Sequence, residues 1–394
     1  MRRILVIDDE EKLRTLLTRI ISYEGFDVCQ AGDCKTALKR MTENEIDVVL
    51  CDVRLPDGNG VEFINEIRKK YPLTEVILLT AYGNIPDGVK AIKNGAFDYI
   101  TKGDENSKIV PLIHRAIEKV ELARRVQHLE RQLDNKYSFD NIIGKSGSIL
   151  EAIELARKVA QSDASVLLTG ETGTGKEVFA HAIHNASFRS GRNFIAVNCS
   201  AFSHDLFESE FFGHAAGAFT GAVKDRNGIL AEANNGTIFL DEIGELAVDL
   251  QVKLLRVIET GEFNRVGENK PSKIDVRIIA ATNRDLHKEI ESGNFREDLF
   301  YRISVFRVSL PALRERIMDI EPLAYYFLQL FAAKSRKRID RISEDCLKKL
   351  KQNPWKGNTR ELRNVIERCV ILAQGNEITS DLLPDEFRGI PEIN

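Results

Sequence analysis

No apolar run in the 394 residues approaches the ~20 that a membrane-crossing helix needs. The first ten residues, MRRILVIDDE, carry two arginines, but their apolar stretch is short and ends in acids, which excludes a signal peptide. The six cysteines (Cys29, Cys34, Cys51, Cys199, Cys346 and Cys369) are scattered, and no C-x-x-C occurs. That pattern offers neither a disulfide framework nor a zinc site, and it reads as buried or surface thiols of a reducing, cytoplasmic compartment. Charge of one sign is also missing: 56 basic and 60 acidic residues leave a net −4, so no overall basic field argues for sequence-blind nucleic-acid binding. What remains is ordinary for a folded chain, 43% hydrophobic and 29% charged, which rules out wholesale disorder. At roughly 150 residues per domain the length suggests two or three domains.

In the first 120 residues, short β-branched runs alternate with helical-period segments. Ile4–Ile7, Val48–Cys51, Val76–Leu79 and Phe97–Ile100 read as strands; Lys12–Tyr23 and Val61–Tyr71 read as helices. This alternation predicts an α/β fold with a doubly wound, five-stranded parallel sheet. Such sheets carry function at the C-terminal ends of their strands. Those ends hold Asp8 and Asp9, Asp52, Thr80 and Ala81, and Thr101 and Lys102. Any one of these acids, taken singly, is an ordinary solvated loop residue. Several carboxylates, a hydroxyl and an ammonium on one edge are different. Clustered carboxylates repel unless a hard cation such as Mg²⁺ joins them, and metal plus Lys102 would neutralise a phosphoryl group on Asp52.

The stretches VIDDE, DVVLCDVRLPDGNG, VILLTAYG and AFDYITK resemble the receiver domain of bacterial response regulators, a flavodoxin-like fold. The resemblance implies that Asp52 accepts phosphate from a partner sensor histidine kinase and that Asp8 and Asp9 help hold Mg²⁺. It also implies that Thr80 and Lys102 contact the phosphoryl group and that Tyr99 is an aromatic switch. Gly103 departs from the family, which usually has Pro there, so a cis joint is not expected.

Residues Lys108–Lys136 read as one long helix with Pro111 near its start. Leu122, Val126, Leu129 and Leu133 are spaced four, three and four, a short a/d pattern. Two readings stand: a dimerising helix, or a helix packed on its own receiver.

A second α/β pattern follows. The apolar run Val166–Thr169 leads into Gly170, Glu171, Thr172, Gly173, Thr174, Gly175, Lys176 and Glu177, then into a helix from Val178. A glycine loop between strand and helix turns backbone N–H groups toward phosphate oxygens, and Lys176 would reach the β and γ phosphates of ATP. Glu177 stands where Ser or Thr normally meets Mg²⁺. Another apolar run, Gly236–Leu240, ends in Asp241 and Glu242. Asp241 suits Mg²⁺, and Glu242 suits polarising the attacking water. Val276–Ala280 runs on to Thr282 and Asn283, where Asn283 could sense the γ-phosphate or position water. Gly217, Ala218, Phe219, Thr220, Gly221 and Ala222 frame an aromatic and a hydroxyl between glycines. An apolar tip of that kind needs a partner, unless Phe219 is simply buried in a core turn.

Together these segments resemble an AAA+ P-loop ATPase. More narrowly, they are similar to the central domain of the NtrC family, the sigma-54-dependent bacterial enhancer-binding proteins. GAFTGA is the most specific motif, and GETGTGKE makes Glu177 a family feature. The resemblance implies that the Gly217–Ala222 loop contacts sigma-54 RNA polymerase holoenzyme and that Asn198 restrains Glu242. It further implies that Arg296 and Arg302 act in trans on a neighbour's γ-phosphate and that Arg360 is a second nucleotide sensor. Ala215-Ala216 and Lys356 depart from the commoner family residues. The implied organisation is a receiver over 1–120, a helical linker over 121–138, an ATPase core over 139–310, a small helical lid over 311–386 and a tail over 387–394. The implied self-association is a dimer when inactive and a hexameric or heptameric ring when active. Relatives usually end in a helix-turn-helix domain. The 22 residues after Leu372 cannot hold one, so DNA contact is expected only through a C-terminal domain absent here, as in a truncated longer protein.

The expected function is a phosphorylation-controlled ATPase that remodels sigma-54 polymerase for open-complex formation. Two alternatives are a nucleotide-binding regulator without productive turnover and an AAA+ remodeller of another target. His181 and His184 could share a metal, but with no third ligand nearby they are expected on a helix surface; Trp355 is expected in the lid core; and KSRKRIDR (334–341) reads as a solvated lid loop rather than as a nucleic-acid patch.

Overall fold

The computed structural model describes residues 2–80, 92, 94–102, 108–201, 203–219 and 222–387, with backbone alone for 126–136 and 386. The chain divides into two compact units, Met1–Leu133 and Asp134–Asn394.

In the first unit the β-branched runs become β1 (Arg3–Ile7), β2 (Asp27–Ala31), β3 (Val48–Asp52), β4 (Glu75–Thr80) and β5 (Asp98–Thr101). They form one parallel sheet in the order β2-β1-β3-β4-β5. Between their polar ends the central strands are apolar, because helices cover both faces. Leu5, Val49 and Leu78 pack with Phe63, Ile64 and Ile67 on one side; Val6, Leu50 and Ile77 pack with Leu17, Ile21 and Ile113 on the other. The helices are α1 (Glu11–Tyr23), α2 (Cys34–Glu43) and α3 (Gly60–Lys70). Strand register levels the edge: Ile7 pairs with Cys51, Asp52 with Leu79, and Thr80 with Thr101. The last strand lies one residue later than its expected Phe97–Ile100.

Helix α4 (Ile109–Lys136) is continuous. Its first half packs on the receiver sheet through Ile109, Ile113, Ala116 and Ile117. Arg124 extends that attachment, reaching Asp47 at 2.5 Å and Glu45 at 3.0 Å. Leu122 is exposed; the side chains of Val126, Leu129 and Leu133 lie outside the described residues.

The second unit repeats the logic. Its strands are β6 (Val166–Thr169), β7 (Phe194–Asn198), β8 (Thr237–Asp241), β9 (Arg277–Thr282) and β10 (Phe306–Ser309). All are parallel, in the order β10-β6-β9-β8-β7. Helices α5 (Gly147–Ala160) and α6 (Lys176–Asn185) cover one face; α7 (His204–Phe212), α8 (Val248–Thr260), α9 (Leu286–Glu291) and α10 (Glu297–Ile303) cover the other. A short hairpin, Gly213–His214 paired with Arg226–Asn227, leaves the end of α7. The lid is α11 (Ile320–Lys334), α12 (Glu344–Gln352) and α13 (Asn358–Leu372). Its core holds the single Trp: Trp355 is fully buried, and its Nε1 donates to Leu350 O at 2.8 Å.

Two expectations need correction. His184 is not on a surface: it is buried, with Nδ1 2.9 Å from Thr237 Oγ1. His181 is sandwiched between the rings of Tyr137 (4.1 Å) and Phe194 (4.0 Å). Aromatic partners remote in sequence draw both rings inward. Within KSRKRIDR, Lys337 is no solvated side chain; its ammonium caps α13 by donating to Val370, Ile371 and Ala373 carbonyls at 3.0, 2.6 and 2.9 Å. Cations belong at that negative helix end.

All six cysteines are free thiols. Burial pushes Cys34, Cys199 and Cys346 up to about 12 and Cys369 to about 11. Cys29 and Cys51 are raised as well, again through burial first.

Candidate functional site

The level strand ends of the first unit bring one group from each of four strands to an edge. Asp8 follows β1 and is fully buried; Asp52 closes β3 and is buried; Lys102 follows β5. The Lys102 ammonium lies 2.5 Å from Asp52 Oδ2 and 2.8 Å from Asp8 Oδ2. Burial pushes the Asp52 carboxyl up, and Lys102 opposes this without cancelling it. Burial works against the Lys102 charge, but its bonds to Asp52 and Asp8 outweigh that and raise its pKa. One carboxylate oxygen each from Asp8, Asp9 and Asp52 lies within 4.8 Å of the others. Asp8 Oδ2 is buried and, among the described residues, meets only the Lys102 ammonium, at 2.8 Å. Three convergent acids and an under-satisfied oxygen fit a hard divalent cation. Thr80 ends β4 beside Thr101, and Tyr99 lies on β5, half-buried. Ala81 and Gly103 lie outside the described residues.

In the second unit, β6 delivers the chain to the glycine loop and α6 carries it away. Lys176 opens that helix; its ammonium donates to Gly170 O at 2.8 Å and lies 3.9 Å from Glu242 Oε1. Burial lowers its pKa. Asp241 ends β8 beside Asn198, the last residue of β7. Burial raises the Asp241 carboxyl, and nearby Lys176 opposes that. Glu242 adopts a left-handed backbone, φ 53°, and its Oε2 accepts the N–H of Asn283 at 3.3 Å. Asn283 Nδ2 donates in turn to Thr172 Oγ1 of the loop at 3.0 Å. The structure thus brings Lys176, Asp241, Glu242, Asn283 and the loop together at the C-terminal edge of the sheet. Glu177 is exposed on the first turn of α6, close enough to raise the Asp241 carboxyl.

The other expected residues lie outside this connected set. The Asn198 side chain is not bonded to Glu242; its Oδ1 accepts Ser200 N and Ser200 Oγ at 2.8 and 2.7 Å. Arg296 forms a two-bond ion pair with Asp298 (3.0 and 2.7 Å), and Arg302 pairs with Glu259 at 3.1 Å. Both arginines are on α10 or its cap, and neither bonds to the glycine loop of its own chain among the described residues. The Glu171 carboxylate faces the lid, not the loop interior. Arg314 grips it at 2.8 and 2.5 Å, and Asn358 Nδ2 adds 3.1 Å. Those contacts hold Glu171 at about 2. Arg360 lies next to the loop: it lines a cavity of about 350 Å³ with Thr172, Gly357 and Arg368.

Sequence reasoning missed Arg314, Arg316 and Asn358 as neighbours of the loop. Asn358 alone gave a signal, by standing two residues before Arg360 in the lid motif. Gly173 explains the closeness: it has φ +82°, and a methyl there would sit 2.2 Å from Gly357 O.

The Gly217–Ala222 segment caps the short hairpin. Gly217 has φ +81°, and its N–H donates to Ala222 O at 2.8 Å. Ala218 N donates to Ala215 O at 3.2 Å, so the turn is closed from both sides. Phe219 is 46% exposed, edge-on to His214 at 5.0 Å, rather than buried in a core turn. Thr220 and Gly221 lie outside the described residues.

Comparison with known families agrees with this division. Residues 4–114 match the response regulator receiver domain, 142–309 the sigma-54 interaction domain and 314–393 the AAA+ ATPase lid domain. The chain is 42% identical to regulatory protein AtoC of Escherichia coli K12, over 98% of this chain and 84% of AtoC. The chain belongs to the NtrC family of two-component, sigma-54-dependent response regulators. It is 41% identical to the transcriptional regulator NtrC of Proteus hauseri, over 97% of this chain and 80% of that one. The fold superposes on NtrX of Brucella abortus, solved with ATP, at TM-score 0.71 and 34% identity, covering 100% of this chain and 86% of that one. Membership makes the second unit an AAA+ ATPase domain that binds ATP and the first a receiver for a histidine kinase. No helix among the described residues is long and apolar enough to cross a membrane.

Proposed function

We propose that Asp52 is the phosphoacceptor and that its phosphorylation gates ATP hydrolysis by a ring of these chains, which remodels sigma-54 polymerase in the cytoplasm. An Asp52 carboxylate oxygen attacks phosphorus on the kinase histidine; the O–P bond forms as the P–N bond breaks. Lys102 holds the acceptor oxygen and offsets the incoming charge. Asp8, Asp9 and Asp52 would hold Mg²⁺, which supplies further positive charge there. Thr80 and Tyr99 would read the phosphorylated state.

At the second site, the loop Gly170–Glu177 cradles the phosphates and Lys176 exchanges its carbonyl partners for phosphate oxygens. Glu242 takes a proton from water as that water attacks the γ-phosphorus, and the bond to the β-phosphate oxygen breaks. Asn283 orients Glu242. Asp241 would hold the Mg²⁺ of ATP. Asn198 would restrain Glu242 in a state other than the one seen. Arg296 and Arg302 would serve a neighbouring subunit, and Arg360 would sense nucleotide from the lid. The loop from Gly217 to Ala222, with Ala218, Phe219, Thr220 and Gly221 at its tip, would press on sigma-54.

One observation carries the reading: Lys176, Glu242, Asn283 and Thr172 form one connected set at the C-terminal edge of the sheet. The test is ATP hydrolysis per protomer across a dilution series, with and without beryllofluoride. A rate that rises with concentration and shifts with beryllofluoride supports shared sites under receiver control. A flat, insensitive rate overturns it.

A further inference from the structure

A phosphate-binding loop works only if its N–H groups point at the phosphates. In a trans peptide each N–H is opposed to the carbonyl before it, so whatever holds the carbonyls fixes the N–H groups. In this loop the carbonyls of three successive residues are held from the lid side. Thr172 O accepts from Asn358 Nδ2 at 3.1 Å, Gly173 O from Thr359 N at 3.1 Å, and Thr174 O from Arg316 Nη2 at 3.2 Å.

The donors are themselves anchored. Asn358 is fully buried with φ 54°, and its Oδ1 accepts Leu313 N at 2.7 Å. Arg316 is only 4% exposed and also donates to Thr359 Oγ1 at 3.2 Å. Burial lowers its pKa, and among the described residues its Nε has no hydrogen-bond partner. Arg314 adds an outer grip by fixing Glu171.

We propose that Asn358 and Arg316 are positioning residues that preset the N–H groups of Gly173 and Gly175 for phosphate, with Arg314 and Glu171 as an outer latch. This rests on the reading of the loop as the ATP site. A loop held in this way by the lid keeps its binding form without nucleotide, so binding does not have to order it. Breaking the hold lowers the fraction of competent loop, and apparent affinity falls by the same fraction. Lys176, Asp241 and Glu242 are untouched, so saturating ATP restores the rate.

The experiment uses the full chain with Asn358→Asp and Arg314→Gln. The first keeps size and the acceptor for Leu313 but turns oxygen toward Thr172 O and Glu171. The second changes a side chain that is 44% exposed, so folding survives. A fluorescent ADP analogue is titrated, nucleotide-free melting is recorded, and KM is separated from kcat. Expected are about tenfold weaker binding for N358D and about threefold for R314Q, in KM with kcat retained. R314Q in an E171Q background should cost nothing further. Wild-type affinity in folded R314Q and N358D overturns the proposal. If Lys176→Ala binds nucleotide as well as the wild type, the ATP-site reading has failed instead.

Discussion

Gly173→Ala tests how tightly loop and lid fit. A left-handed φ costs an alanine about 1–2 kcal/mol. The new methyl would lie 2.2 Å from Gly357 O and 3.1 Å from Arg360 Cβ, while ordinary contact begins at 3.4 Å. Loop and lid must therefore separate by 3.4 − 2.2 = 1.2 Å. That stretches the bonds to Thr172, Gly173 and Thr174 carbonyls past useful length, for about 1–2 kcal/mol more. The sum, about 2–4 kcal/mol, lowers the melting temperature of the second unit by roughly 4–16 °C at about 2–4 °C per kcal/mol. Gly147→Ala is the control: it opens α5, and nothing lies within 4 Å of its added methyl. It should be neutral or stabilising by up to about 1 kcal/mol. Calorimetry without nucleotide compares the two, and coincident melting of G173A and wild type would refute the reasoning.

Further outcomes follow from single contacts. Glu242→Gln should bind ATP yet hydrolyse it at least about 100-fold more slowly, since a proton acceptor in this position contributes 10²–10⁴; a normal rate removes Glu242 from the chemistry. Glu171 sits at about 2 against an ordinary 4.5, so its stabilisation is complete above pH 4.5 and drains away as pH falls toward 2. Its exposure limits that term to under about 1 kcal/mol; the melting difference between wild type and R314Q should shrink over that window, and a constant difference counts against it. Trp355→Phe strands Leu350 O in the lid core and should cost about 2–3 kcal/mol by urea unfolding.

Both sheets were readable because their strands announce themselves: Ile4–Ile7, Val48–Cys51 and Val166–Thr169 are short, apolar and closed by polar residues. The groups at those closures come together because parallel register levels the strand ends. What escaped were contacts that cross the chain. Arg316 reaches Thr174 over 142 residues and Asn358 reaches Thr172 over 186, and no local period encodes either. His184 was misplaced for the same reason: its partner, Thr237, lies 53 residues away. Ser200, two residues on, occupies the Asn198 side-chain oxygen, a local contact that the strand pattern does not encode.

The thiols have a practical bearing. At neutral pH a group near 12 is ionised to about one part in 10⁵, and only the thiolate reacts with maleimides. Those three thiols are thus a quiet background for labelling. A cysteine placed at Val223, which is 84% exposed just beyond Ala222, would be the dominant reactive thiol. A dye attached there could follow the hairpin through a catalytic cycle without removing a native cysteine.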